Sequence, residues 1–166
     1  MGVIVKSSSL HGAGVYATVP IKKGTHILEY TGPRMTVKEC EGMYADTEVT
    51  YLFGMDDGKT IIDGFGMAAF VNHCCDPNCE TDELRRRIWI IALRDIEAGE
   101  ELTYDYNLYD GEPGEDAACY CGVKGCRRTM FSEEEIVRQN KILKRRKQRQ
   151  ARKKLHQRVN GASGKD

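Results

Sequence analysis

The sequence predicts a mostly β fold of the α+β class, and two observations support this prediction. First, residues 1–108 contain short segments rich in β-branched and aromatic residues, separated by glycine turns. Second, the chain ends in a segment that begins with a helix-start signal and continues through many good helix formers. The 166 residues are sufficient for one domain with a modest core.

Seven segments have the composition of strands. In chain order they are GVIVK, GVYATV, THILEYTG, TYLFGMD, KTIIDGF, RIWIIALRDI and ELTYDY. The sequence DDGK at 56–59 predicts a hairpin turn. One internal helix is predicted over TVKECEGMYADT, with Thr36 as its N-cap. Residues 110–118, DGEPGEDAA, are typical of an acidic loop.

The C-terminal helix is predicted to begin after Ser132, because Ser132 and Glu135 have the spacing of a capping box. Its apolar stripe is thin, so we expect its far half to be exposed. The stripe consists of Ile136, Val137, Leu143, Ala151, Leu155 and Val159.

The net charge of zero conceals an acidic body and a basic tail. From residue 135 onward there are 12 Lys and Arg against 2 Asp and Glu, a net charge of +10. The rest of the chain has 13 against 23, a net charge of −10. An acidic body favours basic partners, such as Lys- and Arg-rich protein tails. The basic tail predicts weak contact with nucleic acid or an address signal, and a solvated helix explains it equally well.

The cysteines indicate a metal site. Seven is an odd number, and no apolar signal region or membrane span accompanies them, so we expect an intracellular protein with reduced thiols. The sequence CYCGVKGC at 119–126 supplies three cysteines, whereas zinc needs four ligands. The other cysteine cluster is NHCCDPNC at 72–79, which by itself also fits a cysteine nucleophile with its histidine, or a turn.

Four motifs resemble, in order, those of the SET-domain protein lysine methyltransferases, and the trithorax-like branch is closest. They are HGAGVYA at 11–17, NHCCDPN at 72–78, GEELTYDY at 99–106 and CYCGVKGC at 119–126. The resemblance implies a SET fold of several small curved sheets, with a pseudoknot-like active site, a post-SET zinc loop and a C-terminal helix. The implied divisions are a SET domain at 1–109, the acidic loop at 110–118, the zinc loop at 119–131 and the basic helix and tail at 132–166.

The resemblance also implies the site residues. Cys75 is the implied fourth ligand of a structural Zn²⁺, with Cys79 as its main rival. The implied metal ligands are Cys75, Cys119, Cys121 and Cys126. The residues expected to bind S-adenosylmethionine are His11, Gly12, Ala13, Gly14, Tyr51, Asn72, His73 and Tyr106. The expected catalytic residues are Tyr106, which orients the lysine amine, Tyr51, which lines the lysine channel, and Tyr104, which limits the number of methyl groups.

The implied function is protein-lysine N-methylation with S-adenosylmethionine, favouring mono- and dimethylation of a basic protein such as a histone tail. The main alternative is an inactive SET domain that binds basic peptides, and a nucleic-acid-binding zinc protein is the third class. We expect a monomer with no membrane contact. Its location is expected to be nuclear or chromosomal in a eukaryote and cytoplasmic in a bacterium.

Overall fold

The computed structural model describes residues 2–44, 47, 51–109, 111–115 and 117–162, with the backbone alone for residues 154–162. The strands are β1 Val3–Ser7, β2 Ala13–Ala17, β3 His26–Tyr30, β4 Arg34–Thr36, β5 Leu52–Gly54, β6 Thr60–Asp63, β7 Asn72–His73, β8 Cys79–Leu84, β9 Arg87–Ala92 and β10 Thr103–Tyr104. The helices are α1 Val37–Tyr44, a 3-10 helix Met67–Phe70 and α2 Glu133–Ala162. The predicted mostly β fold with a C-terminal helix is confirmed.

Contacts divide the chain into two compact units. The first consists of Met1–Asp105 and Cys119–Arg127, and the second of Tyr106–Ala118 and Arg128–Asp166. The strands and α1 lie in the first unit, and α2 lies in the second.

The described residues of the first unit form four small sheets. Three are antiparallel, with the strand orders β1-β2, β3-β9-β8 and β4-β6-β5. The fourth is the parallel pair β7 and β10. Apolar side chains fill the core of this unit, and burying them is the main source of its stability. The largest fully buried side chains are Ile62, Ile90, Ile96, Leu102, Val15, Val71 and Cys79.

Strands form in all seven segments with strand composition, and the hairpin at DDGK joins β5 to β6 as predicted. The other three strands, β4, β7 and β8, have no counterpart among the predicted segments. β4 and β7 are only three and two residues long, too short for a pattern. β8 has the polar sequence CETDEL, and the turn between β8 and β9 has positive φ at Arg85 and Arg86. Such a turn usually requires Asn or Gly, so composition did not reveal this hairpin.

The predicted N-cap of α1 is confirmed. Thr36 Oγ1 accepts a hydrogen bond from the Glu39 N–H at 3.3 Å, and Glu39 Oε2 accepts one from the Thr36 N–H at 2.7 Å. This reciprocal pair is a capping box. Cys40 is buried in α1. Of the predicted residues beyond Tyr44, Ala45 and Asp46 lie outside the described residues, and Thr47 is not helical.

In the second unit, α2 begins after its predicted cap, but only half of the capping box forms. Ser132 Oγ accepts a hydrogen bond from the Glu135 N–H at 3.1 Å. The Ser132 N–H donates to the Leu108 carbonyl at 3.0 Å, and the Glu135 carboxylate accepts from Arg138 at 2.7 Å. The reciprocal bond of Glu135 was therefore a wrong prediction, because Arg138 competes for the carboxylate.

Among the side chains of α2 that the structure describes, residues 133–153, the apolar stripe did not identify the buried residues, and Leu155 and Val159 of the stripe lie outside this range. Glu135 and Gln139 are buried, and Gln139 Nε2 donates to Glu135 Oε1 at 3.0 Å, whereas Val137 is 51% exposed. Polar contacts fix this turn, because Arg138 also donates to the Gly111 carbonyl at 2.6 Å. Residues 144–153 are all exposed, as predicted for the far half. Neither α2 nor any other described helix is apolar over a length that could cross a membrane.

Candidate active site and metal centre

Two of the predicted motifs meet in the parallel pair β7 and β10. Asn72 pairs with Thr103, and His73 pairs with Tyr104. The pairing continues beyond the strands, because the Cys74 N–H donates to the Tyr104 carbonyl at 3.2 Å. Residues 72–74 and 103–104 are buried. The fold therefore brings segments that are about 30 positions apart in the sequence into direct contact.

Asn78 fixes this arrangement from the far end of the NHCCDPN motif. Its Nδ2 donates to the Glu101 carbonyl at 2.8 Å, and its Oδ1 accepts from the Thr103 N–H at 2.9 Å. Asn78 is 4% exposed, so both bonds form in an interior where an unpaired amide would be costly. The amide satisfies backbone groups on both sides of Leu102.

A carboxylate joins the HGAG segment to β7. Glu101 accepts hydrogen bonds from Ser8 Oγ at 2.7 Å, from Tyr16 Oη at 2.8 Å and from Asn72 Nδ2 at 2.8 Å. The hydrogen bond to Glu101 raises the pKa of Tyr16. Asn72 Nδ2 also lies 3.0 Å from the Ala13 carbonyl oxygen. Charge-assisted bonds of this kind are stronger than neutral ones, so Glu101 fixes this segment.

The two glycines of the HGAG segment have different surroundings. Gly12 has φ +45°, and a Cβ at this position would have no atom within 4 Å. Gly12 and His11 are exposed, so this backbone is open to a ligand. At Gly14 a Cβ would overlap Glu101 Oε1. Gly14 therefore provides space for the Glu101 carboxylate.

The predicted channel residues Tyr51 and Tyr104 lie in aromatic surroundings. The Tyr51 ring is 5.6 Å from that of Phe70, and Tyr51 is 42% exposed. The Tyr104 ring is buried and lies 6.5 Å from that of Phe53, which in turn is 5.1 Å from the Tyr30 ring. A lysine entering such surroundings would lose hydration.

Tyr106, the third predicted catalytic tyrosine, begins the second unit and is half-buried. Its predicted role stays a prediction. The residue before it, Asp105, is held in the first unit by Arg127, whose Nη1 and Nη2 donate to the two carboxylate oxygens at 2.7 Å each.

The predicted metal ligands form one cluster. The Sγ atoms of Cys75, Cys119, Cys121 and Cys126 lie within 4.8 Å of one another. Cys75 Sγ is 3.7 Å from Cys119 Sγ and 4.0 Å from Cys126 Sγ. Zn–S bonds of about 2.3 Å in a tetrahedron place sulfur atoms about 3.8 Å apart. The cysteine set therefore fits zinc in both chemistry and spacing.

Within the cluster, the pKa of Cys121 differs in direction from those of Cys75 and Cys119. Burial raises the pKa of Cys75 and Cys119. Burial also opposes ionisation of Cys121, but hydrogen bonds with the backbone at Cys75 and Val123 and with neighbouring thiols lower its pKa to about 6. A cluster containing a ready thiolate suits a cation, because metals bind the deprotonated form of cysteine.

The side chain of His73 faces the cluster. Its Nε2 lies 3.4 Å from Cys75 Sγ, and its Nδ1 lies 3.5 Å from Asp105 Oδ1. Burial lowers the pKa of His73, although the Asp105 carboxylate opposes this effect. His73 therefore lies between the cysteine cluster and Asp105, the residue that follows β10.

Cys79, the rival ligand, lies elsewhere. It is fully buried at the start of β8, and its thiol contacts Asn78 Oδ1 at 3.4 Å. Burial raises the pKa of Cys79 to about 12. Cys74 is also buried, with its Sγ 3.4 Å from the Asp76 N–H.

Sequence reasoning missed three residues that join the site together: Glu101, Asp105 and Arg127. The first two lie within the quoted motif GEELTYDY, and Arg127 directly follows Cys126. Their position was a usable signal, since charged residues inside or beside a buried motif need partners.

Comparisons with known proteins agree with this geometry. The SET domain profile matches residues 12–107. A histone-lysine N-methyltransferase of Candida albicans, described as H3 lysine-4 specific, is 42% identical over 72% of this chain and 13% of its own length. The protein of the same description from Saccharomyces cerevisiae is 40% identical over 75% and 13%. Histone-lysine N-methyltransferase ash1 of Drosophila melanogaster is 39% identical over 76% and 6%. The chain thus spans a small part of these relatives.

Proposed function

Because the chain belongs to the SET-domain family, we propose that it is a protein-lysine N-methyltransferase that uses S-adenosylmethionine. The observation that carries the proposal is the Asn72–Glu101 network, which connects the HGAG segment to β7. The proposed substrate is a lysine in a basic protein such as a histone tail. The excess of acidic residues in the first 134 positions, 23 against 13 basic, favours such a partner.

The HGAG segment is proposed to bind the methyl donor. The segment presents an exposed backbone at His11 and Gly12, with open space beside Gly12. The other proposed donor-binding residues in or beside this segment are Ala13, Gly14 and Asn72. Elsewhere in the chain, the donor is proposed to contact Tyr51, His73 and Tyr106. The donor, when bound, supplies a methyl group on a sulfonium that is open to displacement.

The protein's part in the reaction is to supply a neutral, aligned amine. Free lysine has a pKa of about 10.4, so the charged form dominates at neutral pH. Desolvation lowers that pKa, and the aromatic pairs Tyr51–Phe70 and Phe53–Tyr104 are proposed to line the path of the lysine. The Tyr106 hydroxyl is proposed to orient the amine. Alignment of this kind supplies much of the rate without a side-chain base.

The simplest test is methyl-lysine analysis by mass spectrometry after incubation with S-adenosylmethionine and a histone mixture. We expect methyl-lysine with the native chain, a strong reduction with Asn72→Ala, and native activity with the control Asn140→Ala on the exposed surface of α2. Donor binding without methyl transfer to histones or to lysates would instead support the alternative, an inactive domain that binds basic peptides. A chain that neither binds the donor nor transfers methyl groups would contradict the proposal.

Glu101→Gln is predicted to weaken donor binding. The amide keeps the size of the side chain but loses the charge that holds Ser8, Tyr16 and Asn72. Bonds to a charged group contribute about 1.5–3 kcal/mol, so we expect the Kd for the donor to rise about tenfold or more. Calorimetric titration measures this change.

The matched control is Glu100→Gln. This neighbouring carboxylate pairs with Arg94 at 2.7 Å and accepts from the Glu97 N–H at 2.6 Å, without touching the HGAG segment. The Kd of the Glu100→Gln variant for the donor is expected to stay within about threefold of the native value, a difference of under 1 kcal/mol in binding free energy. Equal effects of the two substitutions would remove Glu101 from donor binding.

Tyr104→Phe is predicted to increase the degree of methylation. The Tyr104 hydroxyl is proposed to hold a water beside the amine, in the room that a second or third methyl needs. Expelling an ordered water costs up to about 2 kcal/mol, and each 1.36 kcal/mol is tenfold in rate. We therefore expect mainly mono- and some dimethyl-lysine from the native chain and more di- and trimethyl-lysine from the variant. Unchanged product ratios by mass spectrometry would exclude this role.

We further propose that the protein acts as a monomer inside the cell. Its location is proposed to be nuclear or chromosomal in a eukaryotic host, and cytoplasmic in a bacterial one. The cysteine cluster is proposed to hold a structural Zn²⁺ in either case.

A further inference from the structure

The far half of α2 is an extended basic surface. Residues 141–153 are here called the basic segment. They follow the turn of α2 in which Glu135 and Gln139 are buried. Eight of its 13 residues are basic: Lys141, Lys144, Arg145, Arg146, Lys147, Arg149, Arg152 and Lys153. No acidic residue occurs between Glu135 and Asp166. Among the described residues, no salt bridge involves the basic segment.

The basic residues surround the helix. Successive residues of an α-helix are about 100° apart around its axis. Viewed along the axis, the eight basic residues leave no gap wider than about 100°. Like charges also follow one another at i,i+4 spacing, along Lys141, Arg145, Arg149 and Lys153. Such pairs destabilise an isolated helix, so an anionic partner on several sides would stabilise it.

The composition of the basic segment argues against two other partners. Three of its 13 residues are apolar, Ile142, Leu143 and Ala151, and the first two are half-buried at the start of the segment, which leaves Ala151 as the one apolar residue of 144–153. A membrane-surface helix needs an apolar face, and so does a helix that docks into a hydrophobic groove of a protein. The partner must therefore be recognised mainly through charge.

We infer that the basic segment binds double-stranded DNA through its phosphate backbone, with the helix in the major groove. A helix of about 10–12 Å diameter fits a major groove about 12 Å wide, with phosphates on both sides. The segment is about 20 Å long, over which a duplex presents roughly a dozen phosphates. The major groove of A-form RNA is too narrow for a helix, which favours DNA. This binding is separate from the proposed methyl transfer.

The test measures fluorescence anisotropy of a labelled 25-base-pair DNA duplex with the full chain at several salt concentrations. The test variant carries Lys141→Gln, Lys144→Gln, Lys147→Gln and Lys153→Gln, which preserve helix propensity. The matched control carries Lys→Gln at four exposed positions of the first unit, Lys23, Lys38, Lys59 and Lys124.

The native chain and the control are expected to bind the duplex, with log K falling linearly as log salt rises. The slope should be smaller by up to about 3.6 in the variant with the four changes in the basic segment, since each of four lost phosphate contacts removes about 0.9. The inference is overturned by absence of duplex binding at 50 mM salt, by equal slopes in the two variants, or by tighter binding to duplex RNA, to anionic vesicles or to an acidic peptide. Histone methylation by the same variants reports separately on the proposed enzyme activity.

Discussion

Cys75→Ser is expected to release the metal that we propose for the cysteine cluster, and with it most of the donor binding. The native chain should contain one zinc per molecule, held by four thiolates. Cys75 directly joins β7 to the segment 119–126, because its Sγ lies 3.7 Å from that of Cys119. Serine offers a much poorer ligand than a thiolate. Metal analysis of protein prepared without chelators measures the loss.

The matched control is Cys79→Ser, with its thiol in the core at Asn78. Because it lies outside the cluster, the control should retain one zinc per chain even if the core loses stability. Zinc in the Cys75 variant and none in the Cys79 variant would reverse the assignment of the fourth ligand. Absence of zinc from the native chain would refute the metal centre altogether.

Loss of the metal is expected to disturb the segment around β10, because Arg127 connects the cysteine cluster to that segment. The Arg127 N–H donates to Cys75 Sγ at 3.4 Å, and the Arg127 guanidinium holds Asp105, directly after β10. Because metal binding to such a site is also folding free energy, removing the metal should loosen the segment 119–127. A chelator should therefore lower both the melting temperature and the affinity for the donor.

The sequence predicted the elements whose patterns are local. Seven strands, the hairpin at 56–59 and the cap at Thr36 follow from composition and short spacings. The gathering of the four cysteines was expected from the family resemblance, since spacing alone left the fourth ligand open.

The contacts that were missed are formed between distant residues or have polar sequences. Ser8 and Glu101 are 93 positions apart, and Arg127 and Asp105 are 22 apart, so local spacing does not reveal which residues pair, even where a charge beside a motif indicates that it needs a partner. The hairpin of β8 turns on two arginines in place of glycine. Among residues 133–153 of α2 the buried residues are Glu135 and Gln139, because hydrogen bonds satisfy their polar groups. Hydrophobic patterning detects none of these.

Tyr106→Phe is expected to lower turnover at least tenfold while changing the donor Kd much less. The phenol is proposed to orient the lysine amine in the transition state, and losing an interaction made only there reduces kcat directly. A tenfold loss corresponds to about 1.36 kcal/mol on the barrier, within the range of one hydrogen bond. The ring is retained, and Asp105 beside it is held by Arg127, so the backbone position should persist.

Steady-state methylation of a histone peptide measures turnover, and calorimetry measures donor binding. The matched control is Tyr109→Phe, which removes the same hydroxyl three positions later from a side chain that is 63% exposed. Native turnover in this control, together with a slow Tyr106 variant that still binds the donor, would support a role in the chemical step. Near-native turnover of Tyr106→Phe would show that this hydroxyl has no part in the mechanism. The substitution removes only the hydroxyl and adds no group that could orient the amine in its place.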